Sequence, residues 1–380
     1  MPAQRIGAKE LTLVEKLRHL NWAFVAIVVL VASAGYAMLY SAGGGGHGPW
    51  AWRHGVRFGV GLAAMLVIAV IDIRFWFRFA YPLFAAALAG LVAVEVIGSV
   101  SMGAQRWIDL GLFQLQPSEV MKIGLVLALA RYFHGAHPED VARPAFLAIP
   151  ILMIAVPAIL VLKQPDLGTA VMLMAGGGAL LFVAGVRWWK FTLVLGIALA
   201  ALPLIWQRLH DYQKQRVMTF IDPERDPLGA GYHIIQSKIA LGSGGVWGKG
   251  FLQGTQSQLS FLPEKQTDFI FTMLAEETGL IGALAMLTLF MVLIGLGTVF
   301  ALRARSQFAR LLAMGASLTF FLYVVINIAM VTGLIPVVGV PLPMISYGGT
   351  AMITVLTGFG LLLSVDIHRE VAIPRFPVDP

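Results

Sequence analysis

FLPEKQTDFIFTMLAEETGLIGALAMLTLFMVLIGLGTVFAL, Phe261 to Leu302, opens polar and charged and ends as nearly pure hydrocarbon. Its apolar run, 269–302, has 34 residues. That is about 51 Å of helix against a hydrocarbon core of about 30 Å. The first two or three turns are therefore expected to stand outside the core and line a pocket. Asp268, Thr272 and Glu276 are spaced i, i+4, i+8 and share a helix face, with Glu277 one position round. Gly279 and Gly282 would allow close helix approach. On local pattern alone Asp268 reads as a cap, because an acid at a helix N-terminus meets the positive end of the dipole.

The rest of the chain is of the same kind. Of 380 residues, 58% are hydrophobic and only 12% charged, and mean hydropathy is +0.81. Soluble domains carry about 25% charged residues, so this is an all-α polytopic membrane protein. There is no cysteine, which excludes disulfides, thiolate catalysis and Cys-ligated metals. The net charge of +7 is not gathered into a basic arm. Its residues punctuate apolar segments, which points to membrane topology and not to nucleic acid. The first apolar run comes after a polar, basic segment with no small-residue cleavage site, and reads as a retained first helix.

Ten apolar segments are long enough to span: 21–41, 56–71, 77–98, 118–133, 144–163, 167–186, 190–206, 269–302, 309–333 and 345–366. With both termini in the cytoplasm, the inside segments hold fifteen Lys and Arg and the short outside segments five. The excess predicts an N-in/C-in arrangement. It also places one long loop, 207–268, outside, within a single membrane domain spanning 1–380. In that loop GYHIIQSKIALG suits a short amphipathic helix on the membrane surface, and GSGGVWGKGFLQGTQ reads as turns. No GxxxxGK[ST] phosphate loop is present, so any reaction must draw on an activated substrate or an ion gradient.

Ionisable groups at membrane depth are functional candidates. Here they are Glu95, Glu119, Lys122, Asp166, Asp268, Glu276 and Glu277, and in the N-in arrangement all fall on the outer side. Glu119 and Lys122 are spaced i, i+3 and can pair. Such a pair either packs helices as a neutralised ion pair or walls a polar cavity. Arg106, Trp107 and Asp109 sit in the preceding outer loop, where Trp107 fits an interfacial belt or a platform for a sugar ring. Asp166 in QPDLGTA fits a cap of the next helix or a cavity-facing acid. PLPMISYGG, 341–349, breaks the approach to the last span, which is tolerated where backbone lines a cavity.

These residues resemble a known family. QRWIDLG, QPSEVMKIG, QPDLGTA, PLPMISYGG and the long run from YQKQRVMTF to TDFIFTMLAEETG look like the SEDS proteins (shape, elongation, division and sporulation), in particular their rod-shape branch. Thr350 in ISYGGT stands where the family often has Ser. The resemblance covers nearly the whole chain. It implies a bacterial inner-membrane peptidoglycan glycosyltransferase with its active site on the outer side. Such an enzyme polymerises lipid II and releases undecaprenyl pyrophosphate. The implied partners are a class B penicillin-binding transpeptidase and the elongation proteins MreC, MreD and MreB. The family's essential aspartate falls on Asp268, its polar pair on Glu119 and Lys122, and its loop Arg-Trp on Arg106 and Trp107. One carboxylate suffices as general base because the leaving group is already a diphosphate. That charge needs cations, for which Arg106, Lys122, Arg216, Lys265 or a phosphate-bound Mg2+ or Mn2+ are candidates. No organic cofactor is expected. Glu276, Glu277 and Asp166 are expected to support the site. A lipid-precursor flippase or a non-catalytic scaffold are the alternatives.

Overall fold

The structure, a computed structural model, describes residues 11–101, 104–109, 111, 114–208, 214, 218–220, 222, 230–259, 261 and 264–374. Arg216, one of the candidate cations, lies outside them. The chain runs through α1 (Leu13–His19), α2 (Trp22–Ala42), α3 (Trp50–Val70) and α4 (Ile73–Ile97). Three short strands come next, β1 (Ser99–Ser101), β2 (Ala104–Asp109) and β3 (Gln114–Leu115). Then come α5 (Pro117–His134), α6 (Pro138–Ala142), α7 (Pro144–Lys163), α8 (Leu167–Val183) and α9 (Trp188–Arg208). The last five are α10 (Ala230–Ser243), α11 (Thr255–Gln258), α12 (Ile270–Arg303), α13 (Gln307–Val331) and α14 (Gly349–Ile367).

Each of the ten apolar segments falls on one of these helices. Seven helices, α2, α3, α4, α7, α12, α13 and α14, are long and apolar enough to cross a bilayer. Two others, α8 and α9, are apolar but shorter. Helix α5 carries Glu119, Lys122 and Arg131 among its 18 residues. The boundaries are set by local chemistry. Pro117 and Pro144 stand in the first turns of α5 and α7, where the missing N–H has no partner to lose. Asn21, Asp72, Asp166 and Ser306 each cap the next helix through a side-chain oxygen.

The all-α expectation needs one correction. The strands β1, β2 and β3 form a small antiparallel sheet in the order β1-β2-β3, with Ile108 opposite Leu115 and Asp109 opposite Gln114. Strands this short, broken by a Gly111 at φ +81°, leave too little alternation to read from sequence.

The bundle is built around α14, which packs against α3, α13, α12 and α5. Buried phenylalanines tie these helices edge to face. Phe359 meets Phe24 at 5.1 Å and Phe320 at 4.9 Å, and Phe320 meets Phe290 at 5.7 Å. Such contacts add about 0.5–1.5 kcal/mol each beyond burial. Helix α9 is the opposite case. Its residues 192–200 are all exposed, and it is fastened near its start by Phe191 against Phe182 and by Lys190 Nζ donating to the Ala142 carbonyl at 2.9 Å.

The stretch from Phe261 to Leu302 does not form one uninterrupted helix. Gly279 takes φ +69°, ψ −167°, and divides α12 into a short helix and a longer one. The break frees two carbonyls and two N–H groups. A glycine-rich loop pairs with all four. Lys249 and Gly250 N–H donate to the Glu276 and Glu277 carbonyls, both at 3.0 Å. The Gly245 and Val246 carbonyls accept from Leu280 and Ile281 N–H at 3.0 and 3.3 Å. The approach is so close that a Cβ on Gly248 would lie 2.2 Å from the Glu277 carbonyl oxygen, and one on Gly279 2.3 Å from the Gly248 nitrogen. The excess length of the apolar run is thus a separate helix, and the helix beyond Gly279 is about one bilayer crossing long.

Gly279→Ala and Gly248→Ala should each cost about 3 kcal/mol or more, because both combine a left-handed φ with backbone contact. Gly295→Ala, a helical position with open space around it, should be neutral or slightly stabilising. Thermal unfolding in detergent separates these outcomes.

Candidate active site

Residues 264–269 form a tight turn that begins at Glu264, φ +51°. Its side chain accepts from Thr267 Oγ1 at 2.9 Å. Three successive carbonyls of this turn are then bound by other elements. Gln266 O accepts from Tyr347 N–H at 2.8 Å, and Thr267 O from Ser346 Oγ at 2.6 Å. Asp268 O accepts from Asn327 Nδ2 at 3.0 Å. The same Asn327 amide donates to Val340 O at 2.8 Å. One buried side chain on α13 therefore holds both the Asp268 turn and the proline-rich loop facing it.

The Asp268 backbone is thus fixed, while its carboxylate accepts no hydrogen bond from the described residues. It is not a helix cap: Phe269 stands at the N-cap of α12, and no side chain caps that helix. Oδ2 faces Gly339, where a Cβ would come within 3.6 Å. Burial, with a lesser contribution from the nearby Glu264 charge, raises its pKa from 3.8 to about 6. Neighbouring Lys265 is half-buried, and burial lowers its pKa, opposed by the charge of Glu277.

The face that was expected to line a pocket beyond Asp268 is covered. Thr272 is fully buried against Ser237 of α10, at 2.8 Å between hydroxyls, and Ser237 Oγ also donates to Val331 O. The GYHIIQSKIALG helix thus packs on α12 and α13 through Ile234, Ser237 and Ala240. Glu276, fully buried, pairs with Lys249 at 2.7 Å and accepts from Gln256 N–H at 2.9 Å. Glu277 accepts from Ser41 Oγ on α2 and from Leu252 N–H at 3.3 Å. The two glutamates therefore pin residues 249–258 and α2 to the break in α12.

A second cluster lies between α5, α8 and α13. Lys122 Nζ donates to Glu119 Oε1 at 2.7 Å and also to Tyr323 Oη, and Tyr323 Oη donates to Glu119 Oε2. Lys122, Glu119 and Tyr323 are all buried. Asp166 caps α8 by accepting from Thr169 N–H at 3.1 Å, and Gln116 Nε2 approaches its other oxygen at 3.4 Å. Arg106, on β2, donates to the carbonyls of Gln164, at 3.0 Å, and Pro165. Gln164 in turn donates to Leu91 O at 3.0 Å. Trp107 pairs across the sheet with Ser99 and is half-buried.

A family model described as a cell cycle protein, FtsW/RodA/SpoVE, matches residues 16–371. The chain belongs to this family. It is similar to the peptidoglycan glycosyltransferase MrdB of Escherichia coli K12, 45% identical over 355 residues, 93% of this chain and 95% of that protein. It is also similar to a probable peptidoglycan glycosyltransferase FtsW of Trichlorobacter lovleyi, 36% identical over 369 residues, 94% of this chain and 96% of that one. Among solved structures it resembles the rod shape determining protein RodA of Thermus thermophilus, solved also as an aspartate-to-alanine variant. The match has TM-score 0.70 and 30% identity, covering 93% of this chain and 98% of that one. A chain from a peptidoglycan synthase complex matches with TM-score 0.80 and 33% identity, covering 92% and 98%. The fold is RodA-like and the chain is a multi-pass membrane protein.

Sequence reasoning missed Asn327 and Tyr323. Asn327 is one of only two asparagines in the chain and interrupts an apolar run. A polar group there is destabilising unless it has a task. Its signal was legible.

Two outcomes test the energetics. Lys122→Met should cost about 3–5 kcal/mol by stranding Glu119, and Glu119→Gln with Lys122→Met should recover much of the loss. Thermal unfolding of the single and double variants in detergent checks this. The pKa of Asp268 is raised on folding, so the folded protein holds that proton more tightly than the unfolded chain. Its contribution favours folding at low pH and is lost as pH rises through about 6. Asp268→Asn should therefore melt above the parent near pH 8, with the gap closing towards about pH 4.

Proposed function

We propose that this chain is a peptidoglycan glycosyltransferase that joins the sugars of lipid II into glycan strands for cell elongation and releases undecaprenyl pyrophosphate. The observation that carries the reading is the Asp268 carboxylate. It is held by its backbone, is free of hydrogen bonds from the described residues, and has a pKa near the working range, in a chain 45% identical to MrdB.

In this mechanism an acceptor sugar hydroxyl attacks the anomeric carbon of the donor. Asp268 removes the hydroxyl proton as the new C–O bond forms, and the bond to the diphosphate breaks. The leaving diphosphate carries its own charge away, so no second acid is required. Asn327 keeps the base in place by holding its carbonyl. Of the cations considered, Lys265 is favoured for the diphosphate because it stands in the same turn as Asp268. Lys122 donates to Glu119 and Tyr323, and Arg106 to two carbonyls. Arg106, Trp107, Glu119, Lys122 and Asp166 then shape the wall beside the substrate, while Glu276 and Glu277 support the loop above it. Among the described residues no three His, Asp or Glu side chains converge. A Mg2+ or Mn2+ would be held by the substrate phosphates with one or two carboxylates and would neutralise the leaving charge.

The ten apolar helices are read as ten crossings with both termini inside and the loop 207–268 outside, supported by fifteen inner against five outer positive residues. This sets the site at the outer face of the bacterial cytoplasmic membrane. A class B penicillin-binding transpeptidase is the favoured partner, in keeping with the similar chain in a peptidoglycan synthase complex. MreC, MreD and MreB rest on the family resemblance.

The purified chain, with its transpeptidase partner, should polymerise labelled lipid II on a gel, and Asp268→Ala should give none while still binding the partner. The rate should climb with pH through about 6, since the base acts deprotonated. Near-normal polymer from Asp268→Ala removes the assignment. Transbilayer movement of lipid II without polymer makes the protein a flippase.

A further inference from the structure

One cation beside the Asp268 turn has no counter-charge. Arg57 lies two turns into α3 and is half-buried. Its guanidinium carbon sits 4.9 Å from the centre of the Tyr347 ring. Its other flank rests against the first turn of α14: a Cβ on Gly349 would lie 3.0 Å from Arg57 Cδ, Nε and Cζ. Among the described residues it reaches no carboxylate and no hydrogen-bond acceptor. Most other half-buried or buried cations of the outer region do: Lys122 has Glu119, Lys249 has Glu276 and Arg106 has two carbonyls.

This arrangement is unfavourable without a ligand. A guanidinium taken partly out of water loses hydration, and its five N–H groups want acceptors. Ring stacking satisfies only its faces. The edge remains free, and that edge matches two phosphate oxygens at once. Gly349 is what lets the group lie flat, since any side chain there would displace it.

The position is tied to the proposed base. Tyr347, the ring under Arg57, donates its N–H to Gln266 O, and Ser346 donates to Thr267 O, so the loop that supports Arg57 is bolted to the turn that ends in Asp268. We propose that Arg57 is a diphosphate-binding residue that fixes the lipid-linked substrate by its phosphates beside Asp268. This rests on the glycosyltransferase reading above. The shared chemistry is a lipid phosphate, which a phospholipid headgroup also offers, so the test must separate the two.

The full-length protein in detergent is titrated with farnesyl diphosphate, farnesol and phosphatidylglycerol, with binding read by native mass spectrometry. Arg57→Met keeps the aliphatic stem on Tyr347 and removes every donor. It should weaken farnesyl diphosphate about tenfold or more and leave farnesol unchanged, while Arg57→Lys should fall between. In the polymerisation assay KM for lipid II should rise about tenfold in Arg57→Met, with kcat changed far less. A melting temperature close to the parent's excludes misfolding as the cause. Unchanged farnesyl diphosphate binding in Arg57→Met overturns the proposal. Equal loss of phosphatidylglycerol overturns it too, by making Arg57 a general headgroup contact. Absence of polymer from the parent protein and its partner, with diphosphate binding still dependent on Arg57, removes the enzymatic reading and leaves the anion contact standing.

Discussion

Hydrocarbon offers no partner to a free backbone group, and the part of this protein around the start of α12 is organised around that constraint. Gly279 breaks α12 ten residues into its apolar run, and the exchange of four hydrogen bonds with residues 245–250 makes the break tolerable. The loop can come close because Gly244, Gly248 and Gly279 present only hydrogen atoms to the backbones they meet. Once it is seated, Glu276 and Glu277 are turned into it, and Lys249, Ser41 and two loop amides neutralise and satisfy them. Two acids that look prohibitive beside a membrane helix are thereby the anchors of the loop that covers it.

The same logic links the two polar clusters. Helix α13 carries Tyr323 and Asn327 four residues apart, hence on one face. Tyr323 closes the Glu119–Lys122 pair, and Asn327 holds the carbonyl of Asp268 and that of Val340. A neutralised ion pair in the bundle therefore sets the rotation of the helix whose Asn327 holds the Asp268 turn. Its contribution lies in geometry at a distance and not in net stability, since buried pairs seldom stabilise on balance once desolvation is counted.

Much of this was legible in the residues. Apolar length located every long helix, and the i, i+3 spacing of Glu119 and Lys122 announced their pairing. Local pattern failed where the deciding partner was remote. Asp268 reads as a cap because capping is a local habit, but the turn at Glu264 shifts that position to Phe269. Gly279 reads as one more helical glycine because the loop that breaks the helix there lies about thirty residues upstream. The face Asp268–Thr272–Glu276 was expected to line a pocket, but Asp268 stands before the helix and the loop and α10 cover the other two. Strands of three, six and two residues gave no periodicity to find.

The exchange at Gly279 also fixes a length. Surface loops ordinarily absorb insertions and deletions. Here the Gly245 carbonyl must reach Leu280 while Gly250 N–H reaches Glu277, so the chain between them faces its partner residue for residue. One residue more or fewer would put every later donor opposite the wrong acceptor and move Lys249 away from Glu276. The segment 245–250 looks like a floppy glycine tip, but its spacing is as constrained as that of a strand in the middle of a sheet.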